Sequence, residues 1–381
     1  MTTGRQRPTG TAPRVVVVGG GIVGASIAFH LSLRNAQVTL LEAGQPGQAA
    51  SAVSFAWING RDKKPRGYHD LNRRSLDMWS RFVRRTGAEN SVRWGGELRW
   101  TANPESAGEF EARVQELQSW GYPIRLISPD EVVQIEPGLV TGPVASASYT
   151  DIDGHVDTAS VINACLERAA EHGADIRTGS PATGLQRPNA DSNVEAVTTP
   201  DDEIPCDAVV LANGVDVTGL AAGLGIEIPQ LASPGVGVIT EPVAPAFQNI
   251  AVLHTARDLP PEQLLNIRQM NDGSVMIHGN MHDEVAADAL QQASEQVVRT
   301  AANFLPALNG ARVSEVRRGF RPMPADGHPI LGFAEAAPNV YFAVTHSGVT
   351  LAPLVGEFAA TEIIDGARID ILAPYRVERF T

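Results

Sequence analysis

The sequence predicts an α/β fold in which a doubly wound, Rossmann-like unit is interleaved with an α+β block, and three observations predict it. The run Val15-Val16-Val17-Val18 is β-branched and uncharged, which suits a strand buried on both faces of a parallel sheet, and it runs directly into a glycine cluster. Buried-strand patterns return far downstream, at Asp207 to Gly214 and at Val340 to Val344. Between these returns lie helices and longer alternating strands that do not continue the first pattern, at Val92 to Thr101, Gly235 to Ile239 and Leu265 to Gly279.

The first unit is the most specific. Gly19-Gly20-Gly21-Ile22-Val23-Gly24 supplies G-x-G-x-x-G between a strand and a helix. Glycines there allow the tight turn, admit a diphosphate to the backbone and bring helix against strand. The diphosphate then sits at the helix N-terminus. A second strand, Gln37 to Leu41, closes on Glu42, 18 residues past Gly24, where an acid can accept hydrogen bonds from a ribose. That acid disfavours a ribose bearing a phosphate, so FAD or NAD is expected and NADP is not.

Composition narrows the partners. Arg and Lys total 30 against 43 Asp and Glu, a net charge of -13, which argues against nucleic acid and anionic membranes. Two cysteines, Cys165 and Cys206, are too few for a disulfide framework and lack metal or redox spacing, so a reducing, cytoplasmic setting is expected. Residues 1–12 read as a polar, disordered tail, and no apolar run reaches membrane-spanning length. His278 and His282 are spaced H-x-x-x-H, but the residues before them form a strand and no third ligand is specified, so no metal is expected.

Helices are expected at Tyr68 to Arg85, Glu105 to Trp120, from the Ser128 cap, after Gly154-His155-Val156-Asp157, and at Ala286 to Phe304. Phe55 and Trp57 read as core, and His155 and His328 as structural. The small residues from Ala43 to Val53 leave room for an extended ligand along the backbone, and the last helix opens at Gly348.

With those motifs in this order, the chain resembles the FAD-dependent amine oxidoreductases of the glycine oxidase, sarcosine oxidase and D-amino-acid dehydrogenase group, glycine oxidase above all. The segments that carry the resemblance are the 14–42 fingerprint, Asp153 to Asp157, Asp207 to Gly214, Arg321-Pro322 through Gly332, and Gly348 to Pro353. It implies a Rossmann-like FAD-binding domain interleaved with an α+β substrate domain built on a large mixed sheet that roofs the flavin. FAD-binding parts are then expected at 13–86, 148–224 and 313–381, and substrate parts at 87–147 and 225–312. Cofactor contacts are expected from Gly19, Gly21, Ile22, Val23, Gly24, Glu42 and Ala43 at the dinucleotide end. Ser51, Ala52 and Val53 lie along the flavin, Ala182 at the adenine, and Ala212 and Gly214 near the ribityl chain. Gly348, Val349 and Thr350 offer helix-start N–H groups to the pyrimidine end of the flavin. Members that attach flavin covalently carry cysteine near the Arg321 segment or histidine near Val53. This chain has neither, so the FAD is expected to be non-covalent.

On the substrate side, Arg321 sits between Phe320 and Pro322, where a guanidinium calls for an incoming carboxylate, the alternative being a structural acid such as Asp326. His346 stands where glycine oxidases show an arginine, and a pH dependence near neutrality is expected from it. The resemblance places His278 where family strands usually carry glycine over the flavin, a candidate for the pocket with a hydrogen-bonded structural histidine as the alternative, and Met281 beside it as pocket lining. The tyrosines that often line this side are missing between Gln230 and Gly310. The implied reaction is hydride transfer from the amine-bearing carbon to flavin N5, then imine hydrolysis, with no side-chain base required. The substrate is a glycine-type or N-substituted (secondary-amine) amino acid and the acceptor dioxygen, reduced to hydrogen peroxide. Two alternatives remain open: a dehydrogenase serving a quinone or protein partner, and a non-catalytic flavin-binding subunit. Homo-oligomerisation is also left open.

Overall fold

The computed structural model describes residues 12–190, 192–279 and 287–380. The tail expected over 1–12 lies outside them except for its last residue, as do Met281 and His282.

Two sheets organise the chain. The first has six strands in the spatial order Ile330–Ala334, Ala337–Val344, Ala208–Leu211, Arg14–Val18, Gln37–Leu41, Asp175–Arg177. All neighbours are parallel except the Ile330–Ala334 and Ala337–Val344 hairpin. Helix Ile22–Ser32 is buried at ten of its eleven residues, between this sheet and helices Thr158–Glu171 and Gly348–Asp365. The last of these crosses it closely: a Cβ on Gly356 would stand 2.3 Å from Ser26 Oγ, and that hydroxyl donates to Ala352 O at 2.7 Å. Small residues at the crossing are therefore what let the two backbones touch.

The second sheet has eight strands, in the order Val313–Phe320, Pro234–Thr240, Val275–His278, Asn266–Gln269, Val252–His254, Glu97–Thr101, Ser146–Thr150, Ile124–Ile127. Neighbours are antiparallel except Val252–His254 beside Glu97–Thr101. One face buries Val238, Ile267 and Ile277 against Val298, Ala301 and Phe304 of helix Ala287–Phe304. Alternation along each strand turns the intervening residues, Asn266 and His278 among them, to the opposite face and the cavity.

The chain visits the first sheet, the second, the first, the second and the first again, so the interleaving read from the sequence is present. Ser146–Thr150 straddles the boundary expected at 148, and Val313–Phe320, assigned to the FAD side, pairs within the eight-stranded sheet. Val92 to Thr101 is two strands, not one. Gly95 and Gly96 break it at φ +149° and +84°, and a Cβ on Gly96 would meet Thr150 O at 1.9 Å. Leu265 to Gly279 is likewise a hairpin, turned at Asp272-Gly273. Gly154–Val156 is a strand, and the helix after it starts at Thr158, capped by Asp157. The cap at Ser128 is a full capping box with Glu131. A small sheet of Gly184–Gln186, Ala196–Thr198 and Glu203–Pro205 was not expected. No helix among the described residues is long and apolar enough to cross a membrane.

Candidate active site

Glycine geometry shapes the dinucleotide end. Gly19 sits at φ +103°, where a Cβ would lie 2.6 Å from Ala212 O, and a Cβ on Gly24 would lie 1.9 Å from Gly19 O. Helix Ile22–Ser32 starts without a side-chain cap on Gly21, and Ser51 Oγ accepts from Ile22 N–H at 3.1 Å. Glu42 accepts from Gly20 N–H at 2.7 Å and Gly44 N–H at 2.8 Å, which fixes its carboxylate at the rim. Around these residues lies a cavity of about 370 Å³ that Gly19, Gly21, Ile22, Val23, Glu42 and Ala43 line from one side. Ser51, Ala182, Ala212, Gly214, Gly348 and Val349 line it from the other.

A second cavity, of about 690 Å³, adjoins it through shared walls at Ser54, Phe320, Pro322, His346 and Val349. Val53, Thr350, Arg321 and His278 line this one. Of the expected cofactor contacts, Gly24 and Ala52 line neither cavity. Gly24 lies against Gly19, and the Ala52 carbonyl accepts from Arg317 Nη1 at 3.2 Å.

Helix Gly348–Asp365 meets both cavities with its N-terminus and has no side-chain cap at Ser347. Pro353 lies inside it and lacks an N–H. One turn earlier, the Thr350 carbonyl accepts from Ser75 Oγ at 2.7 Å and Trp79 Nε1 at 3.1 Å. The Thr350 hydroxyl donates to Trp57 O at 3.1 Å, so the first turn is held by helix Arg66–Thr86 and strand Trp57–Ile58.

The roof of the larger cavity is a cross-strand row. Gly237, His278, Asn266, His254 and Arg99 sit opposite one another on five neighbouring strands. His278 is buried, 7% exposed, and its Nε2 has no partner among the described residues. Burial, then the charges of Arg321 and Arg268, bring its pKa to about 3, so the ring is neutral. Arg321 Nη1 donates to Pro234 O at 2.5 Å, and the guanidinium lies over Gly235, where a Cβ would stand 2.9 Å from Nη2. No carboxylate lies within 4.0 Å of it among the described residues, so the alternative pairing with Asp326 is absent; Asp326 pairs with Arg379 at 2.7 Å. His346 projects into the cavity. Burial, Lys63 and Arg321 lower its pKa to about 4, which moves its titration out of the neutral range expected from the sequence.

Several groups escaped the sequence reading. Phe55 and Trp57 line the cavity rather than the core, and Trp57 packs against His254 with ring centroids 4.3 Å apart and the planes tilted by 48°. Trp57 Nε1 donates to Asp153 Oδ2 at 3.0 Å, and Tyr122 OH donates to Asp153 Oδ1. Asp153 is wholly buried, and burial together with the charge of Glu97 raises its pKa to about 8. Beyond His254 lies an ion network: Arg61 donates to Glu97, Arg99 to Glu97 and Asp62, and His254 Nδ1 lies 3.1 Å from Glu97 Oε1. For Glu97, burial alone would raise the pKa, but Arg61 and Arg99 outweigh it and hold the carboxyl well below its usual range. Lys63 lines the same cavity with no carboxylate within 4.0 Å among the described residues. Partners so distant in sequence leave no local signal; the dipeptide Gly154-His155 after Asp153 was the nearest hint.

Residues 14–362 match the family of FAD dependent oxidoreductases (DAO). The chain belongs to that family. As a DAO-family FAD dependent oxidoreductase it is 25% identical to one component of the opine oxidase of Agrobacterium tumefaciens (strain Ach5), over 96% of this chain and 97% of that one. It is 24% identical to glycine oxidase of Geobacillus kaustophilus (strain HTA426), with 96% of each covered. Among solved structures, L-proline dehydrogenase from P. horikoshii superposes with a TM-score of 0.84 at 24% identity, over 97% of this chain and 98% of that one; at that identity the likeness is one of fold. The DAO-family protein binds FAD, and the lining of the two adjoining cavities fits it: glycines that a Cβ would close, an acid at the rim and two uncapped helix starts suit a diphosphate and a flavin.

Proposed function

We propose that this enzyme oxidises the C–N bond of a glycine-type or N-substituted amino acid, with dioxygen as the acceptor, in the cytoplasm. The observation that carries the reading is Arg321: a guanidinium turned into the larger cavity, bonded to a backbone carbonyl alone and unpaired with any carboxylate among the described residues. A planar fork in that state suits paired N–H···O bonds to a substrate carboxylate. FAD, when bound, supplies the hydride-accepting chemistry.

The chain's own residues orient and exclude. Arg321 fixes the carboxylate, with Lys63 adding positive charge near His346. The neutral rings of His278, His254 and His346 face the cavity as acceptors for an amine N–H without competing for the proton, which favours the reactive neutral amine. Phe55 and Trp57 keep water from the reacting carbon. Gly348, Val349 and Thr350, at an uncapped helix start, would offer backbone N–H groups to negative charge on a bound flavin.

The test is flavin reduction in wild type and Arg321→Met with an amino-acid substrate and with its decarboxylated amine. Losing one partner of a desolvated charge pair costs about 2 to 5 kcal/mol, roughly 30-fold to several thousandfold. The carboxylate substrate alone should show that loss, with Arg321→Lys intermediate. Equal losses for both compounds would mean that Arg321 supports the fold and does not read a carboxylate. Return of the flavin colour in air separates an oxidase from a dehydrogenase.

A further inference from the structure

Trp57 enters the larger cavity from a strained stretch of backbone. Ala56, just before it, holds φ +56°, and among the described residues only Ala56 and Asn35 take a positive φ without being glycine. An asparagine side chain can bond locally in that region; alanine has no such help, so its conformation persists only where the surroundings dictate it. They do so here. The Ala56 N–H donates to Ser54 Oγ at 3.0 Å, the Ala56 carbonyl accepts from Val156 N–H at 3.1 Å, and the residue is buried. Phe55 and Trp57, on either side of it, both line the cavity.

The indole is held a second time, at its edge. Trp57 Nε1–H donates to Asp153 Oδ2 at 3.0 Å, while Tyr122 OH donates to Oδ1 and itself accepts from Gly60 N–H at 3.1 Å. Asp153 and Tyr122 are 0% and 1% exposed, so solvent does not compete for these bonds. Asp153 directly precedes strand Gly154–Val156, whose His155 pairs with Trp57, so the pin and the pinned residue meet in one small sheet. On its other side the indole meets the roof, against the His254 ring and with the Arg99 guanidinium 5.8 Å from the ring centroid. Asp153 itself lines neither cavity and reaches the substrate side only through Trp57.

We propose that Asp153 is a positioning residue for the reaction: by fixing the Trp57 indole it sets the width of the cavity on the His254 side and so limits the bulk of the substrate group seated there. A wall whose rotamer is locked from behind rejects an oversized group, whereas an indole free at its edge swings aside. The part of this that concerns substrate rests on the reading that a carboxylate docks at Arg321; the bond between Asp153 and Trp57 does not.

The experiment uses the FAD-loaded enzyme in two arms. With fluorotryptophan incorporated, the fluorine NMR line of Trp57, identified by its loss in Trp57→Phe, should be single in wild type and in Asp153→Asn, which keeps the acceptor, and should shift or broaden in Asp153→Ala. In the second arm, (methylthio)acetate and (benzylthio)acetate are titrated and their binding read from the flavin visible spectrum; sulfur replaces the amine, so no imine can form. The preference for the slender over the bulky ligand should fall roughly fivefold in Asp153→Ala and in Trp57→Phe, within the range of one hydrogen bond. It should fall no further when the two changes are combined, and Asp153→Asn should retain it. Equal weakening of both ligands in Asp153→Ala, or an unmoved Trp57 line, would overturn the proposal and leave Asp153 a structural residue. If Asp153→Ala does not fold, an unchanged preference in Trp57→Phe overturns it as well. (Methylthio)acetate binding that Arg321→Met leaves intact identifies the other failure, that of the underlying carboxylate site, while the fluorine line still reads the pin.

Discussion

Arg61 and Glu97 form an ion pair, Nη1 to Oε2 at 2.5 Å, in which the two side chains are 3% and 0% exposed. Glu97 is shared with Arg99 and approached by His254, and together with Asp62 it balances the two arginines behind the cavity. Removing one partner of such a pair strands a buried charge, at about 3 to 5 kcal/mol. Glu97→Gln should therefore lower the thermal midpoint strongly, while replacing Arg61 and Glu97 together by apolar residues should recover much of the loss. A Glu97→Gln midpoint within a degree of wild type would show that the network is not what braces this wall.

Asp153 gives a pH signature of opposite sign to an ordinary surface carboxylate. Its folded pKa is raised to about 8 from a usual value of 3.8, so it stays protonated in the fold while the unfolded chain is ionised. Unfolding then releases a proton, and this group's contribution to stability declines as pH rises between about 4 and 8, by up to about 1.4 kcal/mol per unit. Asp153→Asn keeps the acceptor for Trp57 Nε1 and cannot ionise. Its midpoint relative to wild type should climb through that window and level off above it. A difference that is flat with pH would place the Asp153 pKa near its ordinary value.

FAD should leave intact on acid precipitation, because the region around Val53, where covalently binding members carry histidine, has none, and both cysteines are buried away from the two cavities. Glu42→Gln should weaken FAD retention by roughly 10- to 150-fold, the equivalent of about 1.5 to 3 kcal/mol for a charge-assisted bond. Equilibrium dialysis against FAD measures it, and unchanged retention would confine Glu42 to closing the Gly20 and Gly44 turn.

His278→Ala should alter the reductive half-reaction or the reaction of reduced enzyme with dioxygen while FAD content stays at one per chain. Since the wild-type ring is already neutral, with its pKa brought to about 3, neither rate should show an inflection between pH 6 and 8 that the variant loses. Wild-type kinetics in both halves would return the residue to a packing role.

Legibility followed distance along the chain. Strand Arg14–Val18, the glycine turn and Glu42 lie within one short segment, and their β-branched and glycine content fixes conformation locally. The last helix and the Ser128 cap were readable for the same reason. Gly95-Gly96 was not, because alternation continues through it and the positive φ values answer to Asn249 and Thr150, far away. Nor was the row from Gly237 to Arg99, whose alignment depends on the register of five strands from separate parts of the chain. Asp153 met Trp57 and Tyr122 only through the fold.

At Gly237 the roof lacks a side chain, and a Cβ there would come within 3.0 Å of His278 Nε2 and 3.3 Å of the Met276 methyl. A single methyl would thus nudge the imidazole by a few tenths of an ångström without touching any charged residue of the cavity. Position 237 works as a set-screw on the ceiling: relatives could retune clearance above the reacting carbon there while leaving every charged residue in place.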